Sequence, residues 1–383
     1  MLSDVVTAGS KALGGARFTL VNVLPGVLLA STVLVTARSG AYGPGPASFG
    51  DIIPDTDDPT VGGAVVLLFA LFVAGVLIQP FQVALVQYLE GYWGDSALGR
   101  SAGAVATELH RRRLRTAFVE QDVFPPPPST TTLAQVAAYS RAAARAERGR
   151  VRAAAILHRY PAKFDRLMPT MLGNVLRNAE DAAGDRYKLD AMTLYPRMYS
   201  SISKPLADAM SRQLDVITLT ASMCVSFALG TLATTPVLLR LDLWSLVPLV
   251  TVLLAVLSYR GGVRAATSHG VLFATTFDLH RFDALRAMHY RLPDTFDEEQ
   301  RLNGALTAFL QNKVTPDRTG LNHPYDHSIY QQPAALPPPT PEDRPRNEDV
   351  SAFGDGPGAD KPSNTTPESG ASGEPPLLPG PAR

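Results

Sequence analysis

Cysteine is nearly absent from this chain: Cys224 stands alone among 383 residues. That excludes an internal disulfide and any metal site built from several thiolates. Cys224 lies in an apolar run, where a lone thiol reads as a small buried hydrophobe. Net charge is absent as well, at +0, so nothing global favours nucleic acid as a partner. The recognisable enzyme signatures are missing. There is no GxxxxGKS/T loop, no GxSxG elbow and no GxGxxG following a strand, so no catalytic residue and no cofactor is expected. The alternation of β-branched and polar residues that marks strands is also missing, which points to an all-α fold.

Charge is lacking over long stretches, and this absence says most. "FTLVNVLPGVLLASTVLVTA" (18–37), "VGGAVVLLFALFVAGVLIQPFQVALVQYL" (61–89), "VITLTASMCVSFALGTLATTPVLL" (216–239) and "LWSLVPLVTVLLAVLSY" (243–259) carry no ionisable acid or base. A helix needs roughly 20 residues to cross about 30 Å of hydrocarbon. A soluble core helix would show a polar face within two turns. Four transmembrane helices are therefore expected, with spans at 18–37, 61–85, 216–239 and 243–259. Val35-Thr36-Ala37 resembles a signal-peptidase site. The run before it exceeds the about 7–15 residues of a typical secretory core, so a retained span is favoured. With no ionisable group inside a span, proton pumping and intramembrane acid proteolysis are disfavoured.

What is present sets the orientation. Lys11 and Arg17 precede the first span, the 95–214 segment is rich in arginine, and Arg260 and Arg264 follow the last span. The 38–60 loop has Arg38 against Asp51, Asp55, Asp57 and Asp58. The positive-inside rule places both termini and the long insert in the cytoplasm of a cell whose plasma membrane holds the chain. The expected layout is a membrane hairpin (1–94), a cytoplasmic helical insert (95–214), a second hairpin (215–262), a helical segment (263–314) and a proline-rich tail (315–383) too polar to fold. Pro25-Gly26 should loosen the first span, and Pro80 should divide the second block. Trp93 and Trp244 fall where an aromatic belt would stand. Leu172, Val175, Leu176, Ala179 and Ala183 recur at helical spacing and predict a buried face.

Three groups of residues invite a role. Thr218, Ser222, Ser226, Gly230 and Thr234 are four apart and form one ridge of small side chains. Such a ridge suits close helix packing, within the chain or between protomers, or a hydroxyl-lined pore wall. Gln79, Gln82, Gln87 and Glu90 share one broad face of the second span, as a pore lining or as the polar side of a helix leaving the bilayer. Arg141, Arg145, Arg148, Arg152 and Arg159 lie within about 40° of one line on an ideal helix over 132–159. They would meet anionic lipid headgroups, an acidic partner or solvent. No metal is expected. The acidic loop "DIIPDTDDP" (51–59) lacks the spacing and closing glutamate of a calcium loop, and Pro324 separates His323 from His327.

"LPGVLLA" in the first span, "FQVALVQYLEGYWG" (81–94), "RYPAKFDRLMPTMLGNVLRNAEDAAGDRYKLDA" (159–191) and "FDLHRFDALRAMH" (277–289) resemble a group of multi-pass membrane proteins of high-GC Gram-positive bacteria. That group supplies no activity to carry over. The order of two spans, a helical insert, two spans and internal ends is similar to that of bestrophins, which are oligomeric anion channels. Their acidic calcium clasp after the last span has no counterpart here. The leading expectation is a membrane protein that self-associates or recruits partners. The alternative implied by the resemblance is an oligomeric anion channel lined by the second span.

Overall fold

The computed structural model describes residues 19–48, 50, 61–126, 132–311 and 326. The chain divides into two compact units, Met1–Ile329 and Tyr330–Arg383; the second lies outside the described residues. So do the 3–14 segment, the acidic 51–59 loop, His323, His327 and the 315–383 tail, Asp326 excepted, together with part of the 125–128 proline run.

Every regular element among the described residues is helical, as the missing strand signals require. The α-helices are α1 (Leu24–Arg38), α2 (Val61–Leu77), α3 (Gln82–Glu90), α4 (Ala97–Asp122), α5 (Leu133–Leu157), α6 (Met171–Gly184), α7 (Ala191–Met198), α8 (Lys204–Thr234), α9 (Leu246–Ala287) and α10 (Phe296–Leu310). Side-chain oxygens close several helix starts. Thr170 accepts from Gly173 N–H at 3.0 Å and Asp190 from Thr193 N–H at 2.9 Å, each satisfying a donor that the first turn leaves free. Asp297, Glu298 and Glu299 crowd the first turn of α10, where the helix dipole favours negative charge.

Four stretches are long and apolar enough to cross a membrane. Their outward faces suit lipid. From its start to Gly262 the buried residues of α9 are small or compact: Pro248, Thr251, Ala255 and Gly262. Leu249, Val250, Leu253 and Leu257 face outward, each about half exposed. In water such a surface would be an aggregation liability; in lipid, small residues pack inward while large ones meet the chains. The second half of the same helix reverses the pattern. Phe273, Phe277 and Leu285 are buried against Leu194, Met198, Met210 and Leu306 from α7, α8 and α10.

The membrane helices and the polar domain share rods. α9 has 42 residues, hence about 63 Å at 1.5 Å each, twice the hydrocarbon thickness. The expected fourth span (243–259) and the helix after it (263–289) are one element. Gly261 and Gly262 lie within it, where Thr220 of α8 comes close: a Cβ on Gly262 would lie 2.9 Å from Thr220 Oγ1. α8 likewise joins the amphipathic 203–214 segment to the third span. It stops at Thr234, short of 239, because Pro236 allows only the tighter turns of Thr235–Arg240. Pro80 lies in a short turn, Gln79–Phe81, between α2 and α3. Pro25 and Gly26 begin α1 after one wide turn, Thr19–Val23.

Trp244 stands at the start of the last membrane helix but does not face an interface. It is buried with Ala41 and Val237. Arg240 explains this. Its guanidinium donates to the carbonyls of Gly43 at 2.5 Å and Gly45 at 2.9 Å while pairing with Asp242 at 2.8 Å. The loop after α1 is thereby folded over the indole.

Candidate functional site: the cavity where the membrane helices meet the polar domain

A cavity of about 600 Å³ opens where α3, α6, α7, α8 and α9 converge. Its polar lining includes Gln87, Glu90, Thr218 and His269, and its apolar lining includes Tyr195 and Phe273. Three glycines bring these elements together. Gly91 takes φ +106°, caps α3 by donating to the carbonyls of Gln87 and Tyr88, and lies against Pro169. A Cβ on Gly173 would lie 2.0 Å from the Glu90 carbonyl oxygen, so only glycine lets α6 start there. A Cβ on Gly270 would lie 2.8 Å from Ala179 Cβ, so α9 presses on α6 beside His269.

The charges around the cavity are unequal in their commitments. Arg177 pairs with Glu180 at 3.0 Å and donates to Tyr92 Oη at 2.8 Å. Arg166 holds Glu180 at 3.1 Å and Asp181 at 2.5 Å. Glu180 is thus neutralised by two guanidiniums. Glu90 has no hydrogen bond or ion pair among the described residues, and Glu180 and Arg177 are its charged neighbours. His269 is 9% exposed, and its Nδ1 finds no partner among the described residues. Its ring stacks on Phe273 at 6.0 Å and 22°. A second cleft of about 560 Å³ flanks α6. Most of its cations are engaged: Lys163 with Asp185 at 3.2 Å, and Arg166 and Arg177 as above.

The small-residue ridge is internal. Ser222, Ser226, Gly230 and Thr234 are buried and Thr218 is half-buried, at the cavity wall. At Gly230 the neighbours are Leu29 and Thr32 of α1 and Thr251 of α9. Thr231 Oγ1 meets Thr251 Oγ1 at 2.9 Å in the same contact. The four polar residues of the second block separate. Gln79 is half-buried in the turn, and Gln82 Nε2 donates to Val21 O at 3.3 Å, tying α3 to the start of the first span. Only Gln87 and Glu90 reach the cavity.

Arg141, Arg145, Arg148 and Arg152 lie along the exposed side of α5. Arg159 is exposed too but follows the helix, which ends at Leu157 rather than 159 because the chain turns at His158 toward Tyr160, buried on Leu114 and Leu167. None of the five has a carboxylate partner among the described residues. Arg141 and Arg145 donate only to backbone carbonyls one turn earlier, and Glu147 pairs with Arg150 instead. No group of three or more acidic, histidine or cysteine side chains suited to a metal occurs among the described residues.

Sequence reasoning reached Glu90 and Thr218 by face and spacing. It did not single out His269, a lone histidine in "ATSHGVLF", because nothing local distinguishes it. No known protein family, curated protein or solved structure matches the chain.

Proposed function

We propose that this chain is a multi-pass protein of the plasma membrane, with both termini in the cytoplasm, whose helical domain engages the anionic headgroups of the inner leaflet. The observation that carries the reading is the arginine face of α5. An exposed helix side bearing Arg141, Arg145, Arg148 and Arg152 without acidic partners among the described residues is a line of charge that those residues leave unneutralised. Each basic residue near an anionic leaflet contributes about 1 kcal/mol, falling off within a Debye length of about 8–10 Å. Attachment to four membrane helices already supplies proximity, so even a weak charge interaction is exercised continuously. The outcome is a domain held at a defined height, presenting its remaining surface to partners.

The test uses the full chain in nanodiscs, with amide exchange followed along α5. Added phosphatidylglycerol should slow exchange in 133–157 relative to pure phosphatidylcholine. High salt, or Arg141→Gln with Arg145→Gln, Arg148→Gln and Arg152→Gln, should abolish the difference. Equal exchange in both lipids would refute the reading.

Self-association, the other part of the expectation, is assigned to different surfaces from the small-residue ridge. That ridge is consumed within the chain, whereas α2, its turn and the start of α3 leave Phe69, Leu77, Phe81 and Val83 well exposed. A channel lined by the second span would have to assemble those apolar faces around an axis shared by several copies.

A further inference from the structure

We propose that the cavity between α3, α6, α7, α8 and α9 binds an amphiphile with an ammonium head, that head at Glu90 and its apolar body against Tyr195 and Phe273. Three observations support this ligand. The first is charge. Glu90 is a carboxylate without an ion pair among the described residues, while nearby Arg177 is committed to Glu180 and to Tyr92. No Lys or Arg lines the cavity, and Glu180, which does, is already paired; an ionised Glu90 is therefore the uncompensated charge there, and a cation would compensate it where an anion would not.

The second is the buried imidazole. His269 is more than nine-tenths buried and lines the cavity, and its Nδ1 is unpartnered among the described residues. A buried polar nitrogen normally has a partner; a hydrogen-bonding group on the ligand would provide one. The third is the apolar lining. Met210, Leu214 and Ile217 of α8, with Phe273 and Tyr195, give the cavity a hydrophobic floor. The volume of about 600 Å³ falls in the range of about 300–1,000 Å³ that takes a drug-sized molecule. The lining runs from Val86 beside the second span to Thr218 at the start of the third. A ligand with one apolar and one charged end fits such a boundary. The shared chemistry is an ammonium on an apolar body. Its source is either a membrane lipid with an ethanolamine headgroup or a free amphiphilic amine.

The experiment measures binding of radiolabelled dodecylamine to the purified full chain in maltoside micelles. Saturable binding near one per chain is expected. Glu90→Gln should weaken it at least tenfold without lowering the thermal midpoint, because the Glu90 side chain makes no hydrogen bond or ion pair among the described residues. Thr218→Leu, which fills the cavity from its wall, should weaken it independently and stands in if Glu90→Gln fails to fold. Arg141→Gln should leave it unchanged. Competition by phosphatidylethanolamine assigns the membrane lipid as ligand; its failure to compete assigns a free amine. Absence of saturable binding, or equal binding by the two cavity variants and the unmodified chain, overturns the proposal.

Discussion

The crossing of α1 and α2 gives a quantitative prediction. A Cβ on Gly26 would lie 2.6 Å from the Ala74 carbonyl oxygen and 2.7 Å from Gly75 Cα. An ordinary contact begins at 3.4 Å, so Gly26→Ala is about 0.8 Å too close. Both obstructing atoms are backbone, so no rotamer change relieves the clash and the helices must move apart. A gap of about 0.5–1 Å forfeits a quarter to a half of each dispersion contact along the crossing, and overpacking of this kind costs about 1–3 kcal/mol. Alanine returns up to about 1 kcal/mol through helix propensity. The net expectation is destabilisation by about 1–2 kcal/mol. Gly230→Ala is the matched comparison. There the nearest atoms are 3.8 Å away and belong to the side chains of Leu29 and Thr32. The methyl group makes ordinary contact, and stability should rise by a few tenths to about 1 kcal/mol. Reversible unfolding by dodecyl sulfate in mixed micelles would measure both. Equal stability of the two variants would refute the crossing geometry, as would a fall for Gly230→Ala larger than that for Gly26→Ala.

Further expectations follow from the same packing. Gly173→Ala should detach α6 from the end of α3, with a loss of more than about 1 kcal/mol in thermal or denaturant unfolding, since its Cβ would meet the Glu90 carbonyl. Gly91→Ala should cost about 1–2 kcal/mol for the left-handed cap alone, with added strain against Pro169. Arg240→Ala should release the 41–45 loop, visible as faster amide exchange there and as a red shift of Trp244 emission; unchanged exchange would show that the clamp is idle. His110, hydrogen-bonded through Nδ1 to Tyr160 Oη at 2.8 Å, has its pKa lowered, first by burial and then by the nearby Arg113 charge. The unfolded chain therefore binds that proton more readily. The resulting stability is present above the ordinary imidazole value of about 6.5 and is lost as pH falls through it toward the folded value. His110→Gln should flatten this acid-side decline in a pH series of thermal midpoints.

Much of the architecture was legible because its cause is local. A run without charge has one stable environment whatever its neighbours, so the four membrane helices and the all-helical class could be read directly. The buried face of α6 showed as Leu172, Val175, Ala179 and Ala183 at helical spacing. The proline at 80 marked the division of the second block for the same reason: a missing N–H acts on its own turn.

What tertiary structure decided concerns partners far apart in the chain. Whether the Thr218-to-Thr234 ridge met another helix of its own chain or of a second copy depended on α1 and α9 arriving at Gly230. Whether Trp244 faced an interface depended on Arg240 capturing carbonyls about 200 residues earlier. The contact at the two glycines within α9 depended on Thr220 of α8 coming close to them. The cavity required Glu90 and His269, 179 positions apart, to line one space, which no local pattern records. Hydrophobicity and helix periodicity act over one or two turns and are written in the sequence by itself. The pairing of distant polar groups is settled by which backbones can approach closely, and that is a property of the assembled fold.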